Sequence, residues 1–195
     1  MKSVANGVLI VASAMLFGGC NQSPSAQAND AGPAAAATAV DHSDPIASAM
    51  AAAPAAIAKD AMIMQASADG SMKMLRAGNN GWTCMPDNPN TPGHDPMCMD
   101  ANALKWAEAW MSKKTPPADN VGLMYMLVGG SDASNMDPFS QKPADGKWVE
   151  TGPHVMVVGS ESLNRIYPAT ANPDTSKPYV MFGGTPYAHV MMPVK

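Results

Sequence analysis

Methionine and histidine recur in this chain at a spacing that could bind a soft metal ion. Four pairs are spaced i, i+2: Met62/Met64, Met72/Met74, Met97/Met99 and Met124/Met126. In two more pairs the first residue is histidine, His154/Met156 and His189/Met191. In a strand, residues i and i+2 point to one face. Two His-x-Met strands side by side would present two imidazoles and two thioethers together, and such ligands suit Cu(I). His154, Met156, His189 and Met191 are therefore the candidate metal ligands, and copper the candidate cofactor. Packing offers a plainer account. Period-two methionines are what a strand with one buried face shows, and Met fills irregular cores well.

Oxygen and acid–base chemistry have three weaker carriers. In the run 129–137, Asp132, Ser134 and Asp137 offer oxygen ligands. The carboxylates are too widely spaced for a calcium loop and no terminal Glu follows, so turn formation explains the composition as well. Gly129-Gly130 could let the backbone approach a ligand, but no helix pattern follows to cradle a phosphate. Asp87, His94 and Asp95 form a possible acid/base cluster. Ser131 with Asp132 and either His154 or His189 is a conceivable hydrolase triad, though nothing in the spacing selects it. No Gly-x-Ser-x-Gly, His-Glu-x-x-His or Ser-x-x-Lys motif is present. The reading leans away from an enzyme.

The elements that would position these residues are legible in part. Asp44-Pro45 reads as a helix start, with a short Ala-rich helix to about Ala53 and Pro54 ending or bending it. The runs 62–66 and 72–76 flank Asp69-Gly70, which favours a tight turn, so they predict a hairpin. Asp100 reads as an N-cap. Leu104, Ala107, Trp110 and Met111 follow at helical spacing, Lys113-Lys114 suit a helix C-terminus, and Pro116-Pro117 stops it. Trp106 and Trp110 would form the plate that packs on a sheet. Strands are predicted at about 121–128, 148–150, 154–159, 179–183 and 187–194, with long loops at 129–146 and 167–178. The segments Tyr125–Ser131 and Tyr179–Thr185 echo each other, each followed by His-Val-Met. The fold class expected is α+β, a largely antiparallel sheet with one main helix.

The N-terminal segment concerns location. Lys2 is followed by an apolar core, Val8 to Phe17, too short to span a bilayer, and then by Gly18-Gly19-Cys20. This ending resembles the lipobox of bacterial lipoproteins, with Phe17 where that family usually has Leu. The resemblance implies that residues 1–19 are a signal peptide, that Cys20 is lipidated, and that the protein is held on a membrane facing the periplasm. Asn21, as a residue other than Asp after the cysteine, is what the resemblance associates with the outer membrane. Residues 20–44, poor in large apolar side chains, would be a lipid-anchored disordered linker. Residues 45–195 would be a single globular domain. Without the signal the chain has 11 basic and 16 acidic side chains, a charge of −5, because only Lys2 is lost from the 12 and 16 of the whole. Nucleic acid is thus an unsuitable partner. In an exported chain the two remaining cysteines, Cys84 and Cys98, read as one disulfide with Trp82 covering it.

The stretches Trp82–Asp87, Gly130–Asn135, Gly152–Met156 and Gly184–His189 are similar to a group of exported bacterial proteins, over about residues 45–195. That group carries no assigned activity, so the resemblance adds no mechanism. The leading expectation is a non-enzymatic small-ligand or soft-metal binding lipoprotein. A hydrolase and a structural or protein-interaction envelope module are the alternatives. A pocket holding a perturbed histidine beside Ser131 would favour the hydrolase.

Overall fold

Asp44 accepts a hydrogen bond from the Ile46 N–H at 2.9 Å and Pro45 occupies the first turn, so helix α1 (Pro45–Ala51) starts where those residues predict. Pro54 separates it from a single-turn helix, α2 (Ala55–Ala58). The structure, a computed structural model, describes residues 43–67 and 69–194. The expected signal peptide, the expected lipidation at Cys20 and the expected linker up to residue 42 lie outside the described residues.

The hairpin β1 (Met62–Ala66) and β2 (Met72–Arg76) forms as predicted, with Gly70 at φ 82° in its turn. Two strands not expected from the sequence follow, β3 (Thr83–Met85) and β4 (Met97–Met99). At three residues each they are too short to show alternation. They pair antiparallel with Cys84 opposite Cys98, and the two sulfurs are bonded at 2.03 Å. Trp82 packs beside this bridge and against Tyr125, ring centroids 5.5 Å apart.

Helix α3 (Ala101–Met111) is the main helix. Asp100 caps it, accepting from the N–H groups of Asn102 (3.0 Å) and Ala103 (2.7 Å). Lys113 and Lys114 fall just past its end. Lys113 takes φ 54° and Lys114 N–H donates to Ala109 O at 2.8 Å, closing the helix by a left-handed turn. Then come β5 (Gly122–Met126), β6 (Gly130–Asp132), β7 (Val149–Thr151) and β8 (His154–Val158). A short helix, α4 (Glu161–Asn164), precedes β9 (Tyr179–Met181) and β10 (His189–Pro193). β6 lies inside the segment 129–146 expected to be loop, and it pairs only with β7. The other eight strands form one sheet in the order β2-β1-β3-β4-β5-β8-β10-β9, antiparallel except for β1–β3. The fold is α+β.

Register sorts the side chains into faces. Met64 pairs with Met74, Met85 with Met97, and Met126 with His154. Continuing the β1–β3 and β4–β5 pairings by one residue sets Met64 beside Met85 and Met97 beside Met126. In the next row Met62 pairs with Thr83, Thr83 with Met99, Met99 with Met124, Met124 with Met156, and Met156 with Met191. One face of the sheet is therefore two transverse rows made mostly of thioethers, the first ending in His154 and the second broken by Thr83. Trp106, Ala103 and Ala107 of α3 cover the second row from Met99 to Met191. Gly122 lets the first turn of α3 sit directly on β5, because a Cβ there would strike the Ala103 backbone. The opposite face is closed by the alanines of α1 and α2 over Ile63, Cys84 and Cys98, and by Leu163 of α4 over Val157, Val180 and Val190.

Candidate functional site

His154 opens β8 and is 1% exposed. Its Nδ1 donates to the Gly152 carbonyl at 2.7 Å, which leaves the lone pair on Nε2. That Nε2 is buried and has no hydrogen-bond partner among the described residues. Burial lowers the imidazole pKa, so the ring is neutral. Met126 lies directly across the strand. Gly130 leaves room beside both: a Cβ there would lie 2.9 Å from Met126 Cε, 3.5 Å from His154 Cε1 and 3.8 Å from Asp95 Cβ. A neutral imidazole held through one nitrogen by a carbonyl, with the other nitrogen left unpaired, is how a metal-ligating histidine is usually oriented.

β10 repeats the arrangement, which gives the sequence echo a structural counterpart. His189 Nδ1 donates to the Tyr187 carbonyl at 2.9 Å, and Met181 is its cross-strand partner. Its ring is walled by Trp106 and Phe182, at 5.0 and 5.4 Å between centroids. Burial, with a smaller contribution from His154, pushes its pKa down to about 4. The four expected ligands are thus divided. Met156 and Met191 are direct partners, but His154 pairs with Pro193 and His189 falls four residues along. At strand rise that separates the histidine backbones by about 13 Å, and each imidazole turns back toward the start of its own strand. The structure brings together two His–Met pairs, His154/Met126 and His189/Met181, rather than one four-ligand cluster. The sequence named Met126 only as one of the i, i+2 methionines and did not single out Met181; neither could be matched to its histidine, because cross-strand register is not visible there. Among the described residues no group of three or more His, Cys, Asp or Glu side chains is placed to hold a metal ion.

The acidic residues assemble close by, with Asp95 on the same side of Gly130 as Met126 and His154. Asp95 accepts from Thr91 Oγ1 (2.7 Å) and Asn88 N–H (3.1 Å), and its own N–H donates to Asp87 Oδ1 (2.7 Å). Asp87 Oδ2 meets His94 Nδ1 at 2.8 Å. The Asp87, His94, Asp95 cluster is therefore real. Burial, reinforced by Asp87, pushes Asp95 up to about 6. Burial and then the Asp95 charge push Asp132 up to about 7. Asp132 keeps part of its residue surface exposed, so water tempers that shift. Nearby, the Thr151 and Tyr179 hydroxyls share a 2.6 Å hydrogen bond.

Ser131 and Asp132 are consecutive on β6, so they point to opposite faces, and the expected Ser131–Asp132–histidine triad is not assembled. Ser131 instead sits beneath the Gly93 backbone, at an open surface pocket of about 260 Å³ whose walls include His94 and Glu150. The oxygens of 132–137 serve turns: Ser134 Oγ accepts from the N–H groups of Met136 (3.0 Å) and Asp137 (2.9 Å), and Asp137 Oδ1 from that of Phe139 (2.9 Å). Among the described residues no helix is long and apolar enough to cross a membrane. No protein-family model matches the chain, and no curated protein or solved structure is significantly similar to it.

Proposed function

We propose that this protein is a lipid-anchored envelope protein that holds Cu(I), with His154 Nε2 and the Met126 thioether as ligands and Met97 alongside. The observation that carries the reading is the buried, unpartnered Nε2 of His154 opposite Met126. An unpaired buried acceptor costs about 1–3 kcal/mol. A soft ion would offset that cost and find the ligand types it prefers. Cys20 supplies the membrane anchor and sets the site in the periplasm. His154→Leu and Met126→Leu, measured in competition with a Cu(I) chelator, should each weaken affinity at least about tenfold, the scale of loss seen even for outer-shell residues. Unchanged affinity in both variants contradicts the proposal.

A hydrolytic reading keeps one observation in its favour, the surface pocket shared by Ser131 and His94, the latter paired with Asp87 at 2.8 Å. It predicts ester hydrolysis that disappears in Ser131→Ala.

A further inference from the structure

The first row of the methionine face runs Met74, Met64, Met85, Met97, Met126, His154, one residue per strand across β2, β1, β3, β4, β5 and β8. Exposure falls along it. Met74 is 54% exposed, Met64, Met85 and Met97 are half-buried, Met126 is 6% exposed and His154 1%. Met72, 39% exposed, flanks the outer end on the same face. β2 is an edge of the sheet, where large apolar side chains open to water are a liability that proteins ordinarily avoid with charge or proline. Here the edge strand carries the charges of Lys73 and Arg76, and on either side of Lys73 it also shows two thioethers to solvent, continued inward at the 4.7–4.9 Å spacing of neighbouring strands.

From this gradient we infer that the row is a loading path for the soft ion: Met74, Met64 and Met72 capture Cu(I) at the surface, and Met85 and Met97 pass it to the His154–Met126 pair. The path rests on the metal-binding reading above. Each transfer forms one Cu–S bond as another breaks, until a Cu–N bond forms at His154. The ion stays Cu(I), and no proton or electron moves. Soft thioether ligands of equal type make such exchange nearly isoenergetic from one methionine to the next. Packing alone accounts for the covered part of the row but gives no reason for its open end.

The test uses the full chain in detergent, with Cys20→Ser so that no free thiol competes, and Ag(I) as a redox-inert probe of the same softness. Methionine methyl resonances are followed by NMR, and loading is timed by rapid mixing. Met64 and Met74 should shift before Met126. Met64→Leu/Met74→Leu, a volume-conserving pair of changes that the fold tolerates, should slow the arrival of Ag(I) at Met126 severalfold and leave the final stoichiometry there unchanged. Met136→Leu, 40% exposed and away from the row, should leave the rate as it was. An unchanged rate in the double variant, with Met126 still loading, overturns the path alone. No shift of Met126 in any protein overturns the path and the binding site together.

Discussion

At the scale of single residues, two groups are shifted from their behaviour in water. His154 is buried and neutral with one nitrogen unpaired, and Asp132, partly exposed, has its pKa pushed up to about 7. The sign of the Asp132 effect is fixed. Its folded pKa, about 7, lies above the unfolded value of 3.8. The folded state therefore binds more protons between those values, and stability falls as pH rises through that window. Asp132→Asn should then raise stability at pH 8 by on the order of 2 kcal/mol and change it little at pH 4. Thermal unfolding at the two pH values checks this; an equal effect at both would mean that the carboxyl is not the strained group. His154 was legible in the sequence as a histidine heading a strand. Its partner was not. Met156 is its neighbour along the chain, but Met126 is its neighbour in space, and only the β5–β8 register reveals that. Asp95 was read as grouped with Asp87 and His94, and the structure does bring the three together through Asp87. Its influence on Asp132 depends on a close approach that no local pattern encodes.

At the scale of elements, those with their own local signals were legible: the capped starts at Asp44 and Asp100, the β1–β2 hairpin around Asp69-Gly70, the alternating strand β5, and the apolar runs of β8 and β10. Those stabilised by partners rather than by their own pattern were not. β3 and β4 are three residues each and are strands because Cys84 and Cys98 join them and β1 and β5 flank them. β6 is Gly-Ser-Asp, a sequence that reads as a turn, and is a strand only against β7. The same dependence makes a prediction. The bridge closes a loop with a sequence separation of 14, for which chain entropy gives about 3 kcal/mol. Cys84→Ala/Cys98→Ala should lose at least about that much in denaturant unfolding. The loss should be accompanied by weaker metal binding, because β3 and β4 carry Met85 and Met97. Retained stability would show that β1 and β5 suffice to hold these strands.

At the scale of the whole molecule, the methionines that could serve a metal or a core are core at one end of the sheet and face solvent at the other. The sheet face they form is closed by α3 over its second row and open at the β2 edge, so one residue pattern serves packing at one end and offers soft ligands at the other. On the proposed lipoprotein reading, location is a separate matter that rests on Cys20. Expressed in a Gram-negative bacterium, Cys20→Ala should then leave the membrane fraction; persistence with the membrane would contradict that reading. The central claim is that the fold holds one Cu(I) at His154. It is tested most directly by thermal unfolding of the full chain, Cys20→Ser, with and without one equivalent of Cu(I) under reductant that leaves the disulfide intact. A ligand at a hundredfold its dissociation constant stabilises by about 2.7 kcal/mol, so the account predicts a rise in melting temperature of several degrees that vanishes in His154→Leu. A melting temperature that does not move with Cu(I), or moves equally in His154→Leu, would contradict it.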